Sequence, residues 1–365
     1  MKTHFSTKYA AILEQIEALD PIQYAKTRNY TDGKVSYLSP YISRGVISTK
    51  QVLQSLLKRG YEAKNIEALV KELAWRDYFQ RVWQEKNIDT EIKKQQEKVQ
   101  NYEIPLAVWQ AKTGIEGIDV AIQNLYQTGY MHNHCRMYVA SVVCNVAAYH
   151  WKNPAQWLYY YLLDGDWASN SCSWQWVAGT NSSKKYFANQ ENISKYTNLP
   201  QKGTFLDLDY ENLENITSPS HLKSSQKFAE KTILPKPKEL QIDIHSPTFV
   251  YNYYNLDPLW HKGEKGNRVL LLESSVFERY PISEKCVTFM VDLSQNIENI
   301  QIYVGEFADL KEQVKAEIYF KEHPLNAHYQ GIMEKREWIN EQISGYYPSF
   351  FAYWKVVEKA GFGHL

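Results

Sequence analysis

A chain of 365 residues is long enough for one large or two medium domains, and an apolar share of 44% supplies a real core. Lys plus Arg and Asp plus Glu number 41 each, so net charge argues against a uniformly basic nucleic-acid binder and leaves only a local patch for meeting a polyanion. Four cysteines without a C-x-x-C pair argue against a disulfide scaffold or zinc ribbon, and no stretch has the length and apolarity of a membrane span or of a secretion signal.

Along the chain, the first 200 or so residues have helical periodicity. KQVLQSLLKRG, IEALVKELAWRDYFQRVW and GIDVAIQNLYQTGY place apolar residues at i, i+3, i+4 and i+7. MYVASVVCNVAAYHW is apolar nearly all round, the pattern of a buried central helix. No convincing strand alternation interrupts this half. Residues 211–247, rich in Ser, Pro and Lys, read as a surface linker. Beyond it the pattern becomes α/β. NRVLLLES and ENIQIYVGEF are strand-like, with AEIYFKEHP a candidate third, and ISEKCVTFMVDLSQN between the first two is helix-like. Strand, helix, strand predicts a βαβ unit with parallel pairing. No G-x-G-x-x-G marks a dinucleotide turn, and SGYYPSFFAYWKVVEKAG closes the chain as a helix. The fold class is therefore mainly α, followed by a small α/β segment. The expected units are 1–210, a linker at 211–247, and 248–365.

Four segments concentrate polar or charged side chains where the pattern otherwise predicts packed helix. In KVSYLSPYISRGVIS, Ser36 and Ser39 precede a proline and an apolar run, a helix-start pattern whose amides and hydroxyls suit either a cap or a phosphate. In ELAWRDYF, Glu72, Trp75 and Arg76 share one helix face, which fits a surface ion pair or a site. TGYMHNHCRMYVAS brings His132, Asn133, His134 and Arg136 to the entry of the apolar helix; histidines at i, i+2 do not share a face, so a metal site is not expected. In DGDWASNSCSWQW, Asp166, Asn170 and Trp174 recur every four residues, and buried carboxylates at Asp164 and Asp166 need partners, for which Arg76 and Arg136 are the candidates.

Taken together and in this order, LSPYISRGVIS, ELAWRDYFQRVW, KTGIEGIDVAIQNLYQTGYMHNHCRM and DGDWASNSCSWQWVAGT resemble the flavin-binding helical domain of the photolyase/cryptochrome family, over roughly residues 20–188. The resemblance implies FAD. It places Tyr24, Ser36, Ser39 and Arg76 at the phosphates, Asn133 near the adenine and the substrate, an Arg136–Asp164 pair beside the flavin ring, Asp166 as acceptor from the ring N–H or the ribose, and Asn170 facing ring atom N5. Asn170 is the photolyase-like residue there. Glu72, Trp75, Asn133, Met137 and Trp176 match the substrate set of enzymes acting on cyclobutane pyrimidine dimers. Trp174 and Trp151 match the inner and middle positions of an electron relay whose outer tryptophan has no counterpart, so Tyr102 or another ring is the expected substitute.

The match has departures. His134 stands where arginine is usual, and Val35 and Tyr37 replace Thr and Arg in the phosphate motif. Tyr130 replaces a ring-flanking tryptophan, and YFANQENISKYT follows in place of the usual continuation. The expectation is a helical part that is not preceded by the family's antenna-binding α/β domain, with the C-terminal α/β segment fitting either a permuted or an unrelated counterpart of it. The expectation is a light-driven lyase that repairs pyrimidine dimers in DNA by electron transfer from reduced flavin, with a cryptochrome-like photoreceptor as the alternative. A cytoplasmic monomer with no antenna chromophore, membrane partner or metal is expected.

Overall fold

The computed structural model describes residues 5–361. Cα packing divides the chain into two compact units that interleave along the sequence: one built from Asp20–Val35 and Glu85–Glu230, the other from Phe5–Leu19, Ser36–Gln84 and Lys231 onward. The segment 36–84 thus packs with the C-terminal part.

The first unit is helical, as its periodicity requires. The helix Glu116–Thr128 ends on Gly129 at φ 74, a left-handed C-cap that glycine adopts without a Cβ penalty. The apolar run expected to form one central helix forms Asn133–Ser141 and then widens into a π-turn at Val142–Val146. Asn145 sits inside that turn, and its amide donates to the Val177 and Tyr186 carbonyls at 2.9 and 2.8 Å. Trp151 precedes the helix Lys152–Tyr161, and Asp166 caps the helix Trp167–Ala178 by accepting from the Ser169 amide at 2.8 Å. One exception to the all-helical reading is a two-residue antiparallel pair, β1 (Ile104–Pro105) with β2 (Ser225–Gln226). Within the expected surface linker, Leu213 and Leu222 are fully buried, and the Tyr149 hydroxyl donates to the Leu222 carbonyl at 3.1 Å.

In the second unit the helix Ala63–Glu85 lies with a parallel sheet of β3 (Thr248–Tyr251), β4 (Asn267–Leu272), β5 (Ile300–Val304), β6 (Ile318–Lys321) and β7 (Ile332–Glu334). Strand order is β5-β4-β3-β6-β7, every pairing parallel. The helices Ser274–Arg279 and Glu284–Ser294 cross from β4 to β5, which is the expected βαβ unit. β3 and β7 extend it. Val250, Val269, Leu271, Phe307, Leu310, Ile318 and Phe320 form one buried cluster on the sheet. The chain closes with the helix Phe350–Ala360, capped by Ser349.

Candidate flavin site

The helix Trp167–Ala178 explains why so many polar groups crowd one short stretch. Along one line of it, Trp167 donates its indole N–H to Asp89 at 2.7 Å, Ser171 donates to the Ile88 carbonyl at 2.6 Å, and Gln175 donates to the Ile88 and Thr90 carbonyls while accepting from the Ile92 amide. Steps of four residues stack these side chains on one face, so they hold the segment 88–92 like a clasp. The other line carries Asp166, Asn170 and Trp174, all at least nine-tenths buried. Asp166 is the cap just outside the helix rather than its first turn. Asn170 directs its amide N–H to the Ala155 carbonyl at 2.8 Å, which sets the orientation of the group.

Beside this helix, Arg136 donates one nitrogen to both oxygens of Asp164 at 2.9 Å and its Nε to the Met131 carbonyl at 2.8 Å. The Asp164 side chain is only 3% exposed. Burying a carboxylate so deeply without a cation would be costly, and Arg136 removes that cost. The preceding turn is held by His132, whose ring nitrogen accepts from the His134 amide at 3.2 Å. Burial pushes both His132 and His134 down to about 4, so both imidazoles are neutral near pH 7. His134 therefore supplies no positive charge where arginine would. Asn133 is exposed at the start of its helix, Met137 is half-buried, and Tyr24 is buried in the helix Pro21–Thr27.

Trp174 and Trp151 are buried. From Trp151 a row of rings leads outward: His150 at 5.7 Å, then Tyr102 stacked on His150 at 5.2 Å and 64% exposed. Trp176 is 39% exposed, its ring 5.6 Å from Tyr186.

The second unit carries the other expected residues. Arg76 donates to Ser43 Oγ at 2.6 Å, a partner that the sequence reading did not single out. Ser39 is the first residue of a five-residue helix, Ser39–Ser43, whose cap position is Leu38; the Ser36 hydroxyl accepts from the Leu38 amide at 3.4 Å. One turn and a half of helix has a small dipole. Between the two serines, Tyr37 holds φ 51, an uncommon conformation for a bulky residue. Glu72 is half-buried one turn before Arg76. Trp75 lies flat against Phe350 of the C-terminal helix, ring centroids 3.6 Å apart and planes 9° from parallel.

Residues 69–233 match the family model for the FAD binding domain of DNA photolyase. Over this stretch the chain is similar to the photolyase/cryptochrome family. The deoxyribodipyrimidine photo-lyase of Vibrio cholerae is 28% identical over 234 residues, 58% of this chain and 49% of that relative. The corresponding photo-lyase of a Synechococcus species is 34% identical over 169 residues, 43% of this chain and 35% of that relative. The chain thus spans half or less of the curated relatives it matches. Among solved structures, a Synechocystis cryptochrome is similar at a TM-score of 0.47 and 24% identity, over 53% of this chain and 44% of that one. The photolyase-type segments lie in both packing units: Arg136, Asp164, Asp166, Asn170 and Trp174 in the first, Ser36, Ser39, Glu72, Trp75 and Arg76 in the second. Their chemistry suits FAD. Arg76 and the serine hydroxyls match a diphosphate, and a carboxylate, an amide and a neutralised Arg–Asp pair match the edge of a polar heterocycle.

Proposed function

We propose that this chain is an FAD-dependent, blue-light-driven photolyase-like lyase that repairs cyclobutane pyrimidine dimers in DNA. The observation that carries the reading is the buried line Asp166, Asn170, Trp174 beside the Arg136–Asp164 pair, inside the stretch that matches the photolyase model. Reduced FAD supplies the light-driven electron that splits the dimer. The protein's part is to hold and position. Tyr24, Ser36, Ser39 and Arg76 hold the phosphates. Asp164 fixes Arg136, Asp166 accepts an N–H, and Asn170, its amide oriented by Ala155, presents a fixed dipole. Asn133, Met137, Glu72, Trp75 and Trp176 receive the flipped lesion, with Trp176 stacking on a base and Glu72 placing a carboxyl group at the developing charge.

A second reading, a flavin photoreceptor without repair activity, is favoured by two observations. One face of Trp75 is already covered by Phe350, and His134 is neutral where an arginine contact to DNA is usual. Purified protein separates the two. Flavin absorption, followed by loss of dimers from a single-stranded oligonucleotide under blue light with reductant, supports repair. If the reduced and lit protein carries flavin yet leaves the dimers intact, the photoreceptor reading replaces it. No helix among the described residues is long and apolar enough to cross a membrane, and cytoplasmic action as a monomer is part of the proposal.

A further inference from the structure

In a sheet ordered β5-β4-β3-β6-β7, the chain steps outward from central β3 to β5 and then returns to β6 on the other side. Doubly wound sheets bind ligands in the crevice beyond the carboxyl ends of the two strands where that direction reverses, here β3 and β6. The residues just past those ends are Tyr253, Tyr254 and Asn255 after β3, and His323 after β6. They meet the chain itself. The fully buried Arg44 guanidinium lies 3.3 Å over the Tyr253 ring and 5.1 Å from Tyr254. Tyr254 stacks on His323 at 4.3 Å, and Trp83 of the helix Ala63–Glu85 sets its edge against both rings at 6.1 and 5.0 Å. The Arg44 carbonyl accepts from the Leu256 amide at 2.9 Å. Gly45 follows at φ 62, and a Cβ there would stand 2.4 Å from the Tyr254 carbonyl oxygen, so only glycine permits this approach. The residue on the other side of Arg44 is Ser43, the acceptor for Arg76.

We propose that the parallel sheet is a positioning element for the Ser43–Arg76 pair, its switch-point crevice being filled by Arg44 of the same chain in place of a separate ligand. Three consecutive residues perform the coupling. Gly45 allows the backbone to press against the Tyr254 carbonyl, Arg44 anchors in the aromatic crevice, and Ser43 is thereby held to receive Arg76. The effect on cofactor binding rests on the FAD reading above; the mechanical coupling does not.

The test uses the full chain. Tyr253→Leu removes the ring beneath the guanidinium, and Tyr253→Phe keeps it while deleting a hydroxyl that has no partner among the described residues. Arg44→Lys, which keeps charge and loses planar stacking, serves if Tyr253→Leu does not fold. In flavin-free protein, hydrogen exchange of the amides at 39–48 is expected to accelerate about thirtyfold in Tyr253→Leu, the size of a desolvated cation–π contact, and to stay unchanged in Tyr253→Phe. FAD affinity should fall about tenfold in Tyr253→Leu and show little further loss when Arg76→Ala is already present, because both changes act on one contact. Unchanged exchange at 39–48, fully additive losses, or two flavins per wild-type chain would each overturn the proposal. Wild-type protein that takes no FAD, with exchange still accelerated in Tyr253→Leu, upholds the coupling and sinks the cofactor reading instead.

Discussion

Asp164 is a deeply buried carboxylate paired with Arg136, so its contribution is best seen by removing either partner. Asp164→Ala leaves Arg136 unpaired and should cost about 3–5 kcal/mol, appearing as a lower denaturant midpoint together with loss of bound flavin. Full flavin occupancy at wild-type stability would remove Arg136–Asp164 from the site. The histidines give a pH dependence with a definite sign. Burial holds His132 and His134 at about 4, below their ordinary value near 6.5, so the folded state binds fewer protons than the unfolded one in between. Stability is therefore complete above about pH 6.5 and is lost as pH falls towards 4. His134→Gln should flatten that acid limb in urea melts run from pH 7 to pH 4.5; an unaltered limb would mean that His134 titrates normally. On the substrate side, Trp176→Ala should weaken binding of dimer-containing DNA by about 1–3 kcal/mol, as stacking losses do. Glu72→Ala should lower repair per absorbed photon more than affinity, and both variants should keep FAD. Were stability and flavin content to fall together with activity, these two would be packing residues.

The helix Trp167–Ala178 shows what can be read from spacing and what cannot. Polar groups every four residues in a buried helix signal a line of partners, and the line Asp166, Asn170, Trp174 was visible on that ground. The second line, Trp167, Ser171 and Gln175, has the same spacing, but its partners are backbone carbonyls of 88–92, which leave no mark in side-chain pattern. Gln175→Leu removes two donors and one acceptor. It should cost about 1–3 kcal/mol and raise hydrogen exchange at 88–92 before any other segment. Exchange that rises uniformly instead would assign Gln175 to the global core. Strands β4, β5 and β6 were legible because each is a short apolar run bounded by polar residues. β3 escaped notice because TFVY runs into the Tyr- and Asn-rich turn that follows it. Ser43 was hidden for a similar reason: within LSPYIS it has the look of a helix residue, and its role depends on Arg76, a contact made 33 positions away.

At the scale of the molecule, the resemblance pointed to a helical flavin-binding fold, while the packing of 36–84 with the C-terminal part lay beyond any local pattern. That packing is dense. Asp77, fully buried, accepts from the Ile339 amide at 2.6 Å and from Thr49 at 3.0 Å, and burial raises its carboxyl above the ordinary range. Arg81 donates to the Ile343 carbonyl at 2.6 Å and covers the Trp338 ring at 4.1 Å. A fragment spanning 248–365 would lose all of these partners. It should show no cooperative thermal transition, and residues 336–343 should exchange freely. A sharp melt of that fragment would instead establish it as a domain that folds alone.

The same long-range closure sets a schedule for synthesis. Arg81 and Ile343 are 262 positions apart, so one half of this contact leaves the ribosome long before the other exists. At about 5–20 residues per second, the interval is on the order of 10–50 s. Throughout it, Trp75, Tyr78 and Trp83 of the helix Ala63–Glu85 lack the later rings Phe350 and His323 that they pack against. The nascent chain is then a natural client for a holding chaperone, and its yield in the cell should depend more on how quickly translation finishes than on the stability of the finished fold.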